Sequence, residues 1–248
     1  MSFIIEPLGR LFVALIDFTG SYGIAILLLT VIFRSITIPL SVKQMKSTQA
    51  MNEIAPERKK IEEKYKNDKE KQSKALMELY KEKKINPLAG CLPMLIQIPI
   101  FIAMFRVFQD PEIIVHTFDT VSTKFLGIDL AAGVNLEDAA KDIEGLAIPE
   151  GWNYVAARAE HARTLYILPL LAGLTTYLQT KLTMAGNAAQ QQGGMAAMTT
   201  IMPIMIVFFS SSLPPALGLY WFAGNVFAIG QHYVIKKKKD STKTAEGE

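Results

Sequence analysis

The sequence is poor in the residues that build disulfides and metal centres. It has one cysteine, Cys91, and three widely separated histidines, His116, His161 and His232. One cysteine cannot close a disulfide within the chain, and no cysteine–histidine cluster has the spacing of a zinc site. The sequence therefore predicts neither a disulfide scaffold nor a metal centre, and it indicates no cofactor.

Charge is also missing from a long stretch. No Asp, Glu, Lys or Arg occurs in the 54 residues from 182 to 235, while half of the chain is hydrophobic and 20% is charged. The hydrocarbon core of a bilayer is roughly 30 Å thick and takes about 20 apolar residues per helix. This run is long enough to cross it twice, so the composition predicts a membrane protein.

Five stretches have the length and composition of membrane spans: 22–42, 88–108, 164–182, 195–212 and 216–235. Residues 43–86, between the first two, contain 13 Lys and Arg against 8 Asp and Glu, whereas 109–163 contain 4 against 10. The positive-inside rule places the first segment in the cytoplasm, and the four lysines at 236–239 give the same orientation. We expect an all-α membrane protein with the N-terminus outside and the C-terminus in the cytoplasm.

The N-terminal segment 1–21 has apolar residues at helical spacing, interrupted by Glu6, Arg10 and Asp17. This pattern favours an amphipathic helix lying in the outer membrane interface. The alternative is an extended first span, which would bury ionised groups at about 2.5 to 3.5 kcal/mol each.

The segments between the spans are predicted from their charge. Residues 43–87 indicate a cytoplasmic helical hairpin, with Asn67 and Asp68 in its turn and Pro56 ending or kinking its first helix. The hairpin is either a docking element, for a protein, anionic lipid or ribosomal RNA, or a solvated connector. Residues 109–163 are predicted to form an acidic extracytoplasmic loop, and 236–248 a basic cytoplasmic tail.

Arg34 is the only charged residue in the first span. It lies about eight residues, or roughly 12 Å of helix, before the inner end at Val42. An arginine at that depth is costly unless it faces water or an acidic partner, and no predicted span contains Asp or Glu. A water-filled pocket explains its presence; the alternative is a side chain that snorkels to the inner interface.

Other polar residues fall near the same depth. Gln97 lies roughly 14 Å and Asn225 roughly 15 Å from the inner ends of their spans. Gln179 and Gln231 lie nearer the inner ends, whereas the outer halves are mainly apolar. The pattern predicts a polar groove that is open to the cytoplasm and closed toward the outside. Taken singly, a Gln or Asn in a membrane helix more often bonds a neighbouring helix.

Enzyme classes find no support in the sequence. Ser210, Ser211 and Ser212 would lie about 24 Å from His232, too far for a nucleophile and its base. Intramembrane carboxylates and a phosphate-binding loop are both absent from the sequence. A secondary transporter of an anionic solute is the alternative, because a buried arginine could bind an anion and the prolines could break helices. The sequence shows neither an internal repeat nor an acidic group for ion coupling.

Several motifs, in order, resemble a known family. NPLAGCLPMLIQIPIF from Asn86, YILPLLAG from Tyr166 and LGLYWFAGNVFAIGQHYVIKKKK from Leu217 are similar to the YidC/Oxa/Alb membrane protein insertases, in their short bacterial form. The similarity covers about 22–108 and 164–239. It implies a five-helix core in the bacterial plasma membrane that inserts and folds newly made membrane proteins, alone or with the Sec translocon, without nucleotide or cofactor.

The resemblance also implies partners and site residues. The partners are nascent membrane proteins, membrane lipids, and the ribosome with its targeting machinery at the hairpin and the basic tail. Arg34 corresponds to the family's groove arginine. The other expected client-binding residues are Gln97, Gln179, Asn225, Gln231, Tyr220 and Trp221. The methionines of the fourth span, with Met184, either give clients an adaptable surface or pack between spans.

Overall fold

The computed structural model describes residues 2–86, 92–110, 112–113, 116–117, 121–131, 167–183 and 194–245. Within these ranges the elements are α1 (Ser2–Thr19), α2 (Tyr22–Ile36), α3 (Ile38–Glu53), α4 (Ala55–Lys64), α5 (Lys69–Glu82), α6 (Leu92–Phe108), β1 (Lys124–Phe125), β2 (Ile128–Asp129), α7 (Ile167–Thr183), α8 (Gly194–Ser212) and α9 (Pro215–Ala245). The expected helical class is therefore correct, apart from one small hairpin. Most of the predicted outer loop, together with Met184, lies outside the described residues.

The first predicted span, 22–42, is bent. α2 ends at Ile36, and α3 leaves Thr37 at 60° to it. Pro39 has no N–H to continue the hydrogen bonding of α2, and the Thr37 hydroxyl donates to the carbonyl oxygens of Phe33 and Arg34. Beyond the bend only about half of each residue's rise follows the α2 axis. Arg34 therefore lies roughly 8 Å, rather than roughly 12 Å, from Val42 along that axis.

The helices differ in how well their length and composition suit a membrane span. In the described part of the chain, no single helix is both long and apolar enough to cross a bilayer, while the bent pair α2 and α3 together could be. The apolar helical stretches Gln97–Phe108 and Ile201–Ser211 are shorter. The number of five spans stays a prediction.

α1 has one buried face and one charged face. Leu8, Phe12 and Ile16 follow each other at intervals of four residues and pack into the core beside α2 and α6. Glu6 and Arg10 form an exposed ion pair of 2.6 Å on the surface of the same helix. This separation is typical of an amphipathic helix. Its place in the outer interface stays a prediction.

Four aromatic rings join the helices at the end of the bundle where α2 begins. The ring centroid of Phe12 lies 5.3 Å from that of Tyr22 and 5.2 Å from that of Phe108, and Phe108 lies 6.1 Å from Tyr220. Each ring comes from a different helix: α1, α2, α6 or α9. Such tilted pairs contribute about 0.5 to 1.5 kcal/mol each beyond the burial of their surface. The aromatic contacts therefore close this end of the bundle.

The hairpin formed by β1 and β2 covers the same end. The side chain of Phe125 fills the space that a Cβ atom on Gly23 would occupy, at the start of α2. The Ala216 N–H donates to the carbonyl oxygen of Leu130 at 3.2 Å, which ties the end of the hairpin to the start of α9. In the turn, Leu126 has φ +51° and Gly127 has φ +79°. Positive φ at both positions is the requirement of a type I′ turn, in which Asn–Gly is preferred.

The charged hairpin consists of α4 and α5, and α3 leads into it. The Asp68 carboxylate accepts a hydrogen bond from the Lys71 N–H at 3.1 Å and so caps α5. Hydrogen bonding to Lys71 lowers the pKa of Asp68. At the other end Lys83 bonds Glu57 at 2.8 Å, and this contact raises the pKa of Lys83. The helix is interrupted at Ile54, and Pro56 lies in the first turn of the next helix, α4.

The hairpin turn yields a stability prediction. Leu126 is 87% exposed and left-handed, a conformation that costs a leucine roughly 1 to 2 kcal/mol and that asparagine tolerates. Leu126→Asn should therefore stabilise the fold by about 1 kcal/mol, measured by thermal unfolding in detergent. Leu126→Ala is the matched control, because it also removes most of the exposed apolar surface but lacks the carboxamide that lets asparagine tolerate positive φ. Equal gains in both variants would contradict the strain argument.

Candidate functional site

Three helices change from buried apolar residues to polar ones at one level of the bundle. On α2 the last residue of the buried core is Leu29, and Arg34 follows about one turn later. On α6 Gln97 precedes the first core residue, Ala103, and on α9 the last core residue is Tyr220. The polar residues thus lie immediately beyond the core, on the side away from the aromatic contacts.

Arg34 on α2 and Gln97 on α6 both lie close to the Tyr220 hydroxyl on α9. The carboxamide of Gln97 is near enough to that hydroxyl for a polar contact, and the Arg34 guanidinium is near enough to it for electrostatic interaction. We call these three residues, with Gly224, the Arg34 cluster. The structure brings together three of the seven predicted site residues in this way.

The charge of Arg34 has no acidic counterpart in the described part of the chain. Every ion pair found there involves other residues. The side chain is partly exposed, and it lies near the phenol of Tyr220 and against the backbone at Gly224. An unpaired guanidinium in such surroundings offers several N–H donors to an anionic ligand.

The Arg34 side chain lies against α9 at Gly224. A Cβ atom at position 224 would lie 2.6 Å from Nη2, 3.1 Å from Nε and 3.2 Å from Cζ of Arg34. Only glycine leaves room for this contact. The contact places the guanidinium beside the backbone of α9, and the water-filled pocket stays a prediction.

Aromatic contacts extend the cluster along α6 and α9. The Trp221 ring packs edge-on against Phe101 with 5.4 Å between centroids, and Phe101 lies one helical turn from Gln97. Trp221 is partly exposed, whereas the Tyr220 ring is buried against Phe108. Tyr220 therefore belongs to both regions, with its ring in the core and its hydroxyl at the cluster.

Asn225 connects α9 to α7. Its Nδ2 donates to Thr176 Oγ1 at 2.7 Å, Thr175 Oγ1 at 3.1 Å and the Ala172 carbonyl oxygen at 3.3 Å. The residue is 3% exposed. We expected Asn225 to line the groove beside Arg34. Because the amide is buried and bonded to α7, it does not line an open surface. Asn225 therefore joins neighbouring helices, which was the alternative for a polar residue in a span.

Gln179 and Gln231 are not joined to the cluster by any described contact. Both are partly exposed, Gln179 on α7 and Gln231 on α9. The Nε2 of Gln231 is buried and has no hydrogen-bond partner among the described residues. Of the fourth-span methionines, Met205 is exposed and Met202 partly exposed, while the side chains of Met195 and Met198 lie outside the described set.

Sequence reasoning missed Gly224 and the pair Thr175 and Thr176. Gly224 carries no functional group, and its only signal is its place between Tyr220 and Asn225. Thr175 and Thr176 receive the Asn225 amide, yet they lie about 50 positions away in the sequence. Neither contribution can be read from local pattern.

Comparisons with known proteins identify the family. A family model described as 60Kd inner membrane protein matches residues 14–243. The chain belongs to this family. Membership places it in a bacterial membrane and agrees with the expectation that it is not an enzyme.

Curated relatives of this 60Kd inner membrane protein family member are membrane protein insertases by name. YidC 2 of Bacillus anthracis is 38% identical, over 99% of this chain and 84% of the relative. MisCA of Bacillus subtilis is 37% identical, over 94% of this chain and 78% of the relative. YidC of Brucella suis is 35% identical, over 96% of this chain but 36% of the relative.

A solved structure supports the same assignment. The crystal structure of an active YidC insertase with its first transmembrane domain resolved matches with a TM-score of 0.63 and 28% identity. The match covers 94% of this chain and 46% of that chain, so this chain spans about half of it. The resemblance inferred from sequence motifs is confirmed.

The Asn225 contacts generate a prediction. Asn225→Leu removes the two amide N–H donors that join α9 to three acceptors on α7 and should lower stability by about 1 kcal/mol, since such bonds contribute about 0.6 kcal/mol each on average in membrane helices. Unfolding in mixed micelles would measure the loss. Gln179→Leu, a partly exposed amide on α7, is the control and should change stability little. Equal losses would show that the amide bonds are not what fixes α9.

Proposed function

We propose that this membrane protein insertase guides newly made membrane proteins past the Arg34 cluster, alone or with the Sec translocon. The observation that carries the proposal is the guanidinium of Arg34, which has no acidic partner among the described residues and lies between α2 and α9 where the buried core ends. It provides a positive charge and hydrogen-bond donors where a polar segment would otherwise meet only hydrocarbon.

The cluster acts on the largest barrier in insertion. A polar tail loses its hydration when it enters hydrocarbon, and every unsatisfied polar group costs several kcal/mol there. A polar notch shortens the dry distance that the tail must cross. Arg34 attracts acidic residues of the tail, while Gln97 supplies a neutral hydrogen-bonding group. No nucleotide is needed, because burial of the client's apolar segment in lipid contributes about 0.8 kcal/mol per CH₂.

The outer faces of α7 and α8 suit the release of a client into lipid. They expose large apolar side chains, namely Leu170, Leu174, Ile204 and Met205. A client helix leaving the cluster would meet these side chains or lipid, both of which are apolar. The adaptable thioether of Met205 fits contacts with clients of different shape.

The proposed orientation puts the cluster on the cytoplasmic side of the closed core. The basic segment 43–86 and the lysines at 236–239 support this orientation through the positive-inside rule. In this arrangement the N-terminus and the β1–β2 hairpin lie outside.

The α4–α5 hairpin is proposed to hold the ribosome or its targeting machinery. Its open end carries a depression of about 380 Å³. The lining residues are Met77, Tyr80, Lys81, Lys84, Ile85 and Asn86. Two lysines beside apolar side chains fit an acidic partner surface with apolar contacts.

The alternative function, secondary transport of an anionic solute, has no support from the comparisons. The relatives reported above are named as insertases.

The function is tested with Arg34→Ala in reconstituted liposomes. Protease protection of newly synthesised clients should fall about tenfold, the factor that corresponds to 1.4 kcal/mol, for clients with acidic translocated tails. Matched clients with neutral tails should change little, and Arg34→Lys should keep most of the activity. Equal small effects on both clients would remove the electrostatic role. Solute flux driven by an ion gradient in the same liposomes would instead support a transporter.

The hairpin proposal has its own test. Lys81→Glu with Lys84→Glu should weaken co-sedimentation with ribosomes several-fold at low salt, because the depression loses its positive charge. Lys60→Glu with Lys66→Glu makes the same change in net charge at exposed positions away from the depression and should have less effect. The same loss for both pairs would indicate binding through net charge alone.

A further inference from the structure

Gly224 lies against the charged end of the Arg34 side chain. The atoms closest to a Cβ at position 224 are Nη2, Nε and Cζ, all in the guanidinium group. We infer that Gly224 is a specificity-determining residue. Because it has no side chain, it leaves room for the Arg34 guanidinium beside α9, and the position of the guanidinium determines how well acidic clients are inserted. This inference rests on the proposed function of Arg34.

A methyl group at position 224 would move the charge without removing it. Carbon and nitrogen atoms in contact lie about 3.5 Å apart or more, so Nη2 at 2.6 Å would have to retreat by about 1 Å. The guanidinium is the far end of a flexible side chain, and rotation about its own bonds provides that shift. Alanine is also a better helix former than glycine. Gly224→Ala should therefore fold.

The helix itself is held too firmly to yield instead. The next residue, Asn225, fixes α9 to α7 through its hydrogen bonds to Thr175, Thr176 and the Ala172 carbonyl. α9 also makes its contact with α6 through Tyr220 and Trp221. The displacement must therefore be taken up by Arg34, which moves away from α9 and from its neighbour Tyr220.

The position of the guanidinium can be measured directly. In protein labelled with ¹⁵N-arginine and held in detergent micelles, the Nε–Hε resonance of Arg34 is assigned by its loss in Arg34→Lys. Gly224→Ala should shift this resonance, since Nε lies 3.1 Å from the added methyl. Gly230→Ala is the control on the same helix, because a Cβ there meets no atom within 4 Å. An unchanged Arg34 resonance in Gly224→Ala would overturn the inference.

A double-mutant cycle tests the consequence for clients. In liposomes, Gly224→Ala should reduce protease protection of acidic-tailed clients by about threefold or more and leave neutral-tailed clients unchanged, while Gly230→Ala changes neither. In an Arg34→Ala background the added Gly224→Ala should have no further effect, because no guanidinium remains to be displaced. Additive losses, or losses equal for both clients, would assign Gly224 a packing role and overturn the inference.

The outcomes separate this inference from the function on which it rests. If Arg34→Ala leaves acidic-tailed clients unaffected, the electrostatic part of the proposed function fails. If Arg34→Ala impairs acidic-tailed clients and Gly224→Ala does not, the proposed function stands. The contact between Gly224 and Arg34 then does not control the insertion of these clients.

Discussion

The contact between one guanidinium and the bare backbone of α9 is the constraint on which this architecture depends. A charged group inside an apolar bundle needs hydrogen-bonding neighbours, and it needs space. Gln97 and Tyr220 form the polar neighbourhood, and Gly224 leaves the space. These requirements explain why the core residues of three helices stop at one level. They also explain why α9 is fixed to α7 immediately beside the contact.

The bend at Thr37 gives the cluster its relation to the rest of the chain. α2 ends two residues after Arg34, where Pro39 prevents a continuous helix and the Thr37 hydroxyl donates to the carbonyl oxygens of Phe33 and Arg34. α3 then departs at 60° and leads to the charged hairpin. The polar cluster and the basic hairpin are thus linked by a single helix. A partner held at the hairpin would be near the entrance to the cluster.

The sequence was informative where one residue type has few explanations. A lone arginine in an apolar run is such a case, and Arg34 could be chosen without a structure. An amide has two common uses, so Gln97 and Asn225 could not be separated by depth alone. Their roles differ because Asn225 meets two threonines on α7, whereas Gln97 meets Tyr220. These partners are distant in the sequence, so the local sequence pattern does not reveal them.

The sequence also failed to predict where the chain changes direction. The average hydropathy of residues 22–42 depends only on composition. It therefore does not detect the bend that Pro39 introduces. The β1–β2 hairpin also escaped, because its strands are two residues long and its turn is Leu–Gly instead of Asn–Gly. Gly224 gave no signal beyond its place between Tyr220 and Asn225, because the effect of an absent side chain depends on which residue packs against it.

The four interlocked rings of Phe12, Tyr22, Phe108 and Tyr220 have a consequence for bioenergetics. They pack together between the β1–β2 hairpin and the Arg34 cluster, which the hydroxyl of Tyr220 reaches. In the proposed orientation, a polar groove that stopped at these rings would give protons and sodium ions no continuous wet path. Such packing would let the protein stay in an energised membrane without discharging the ion gradient.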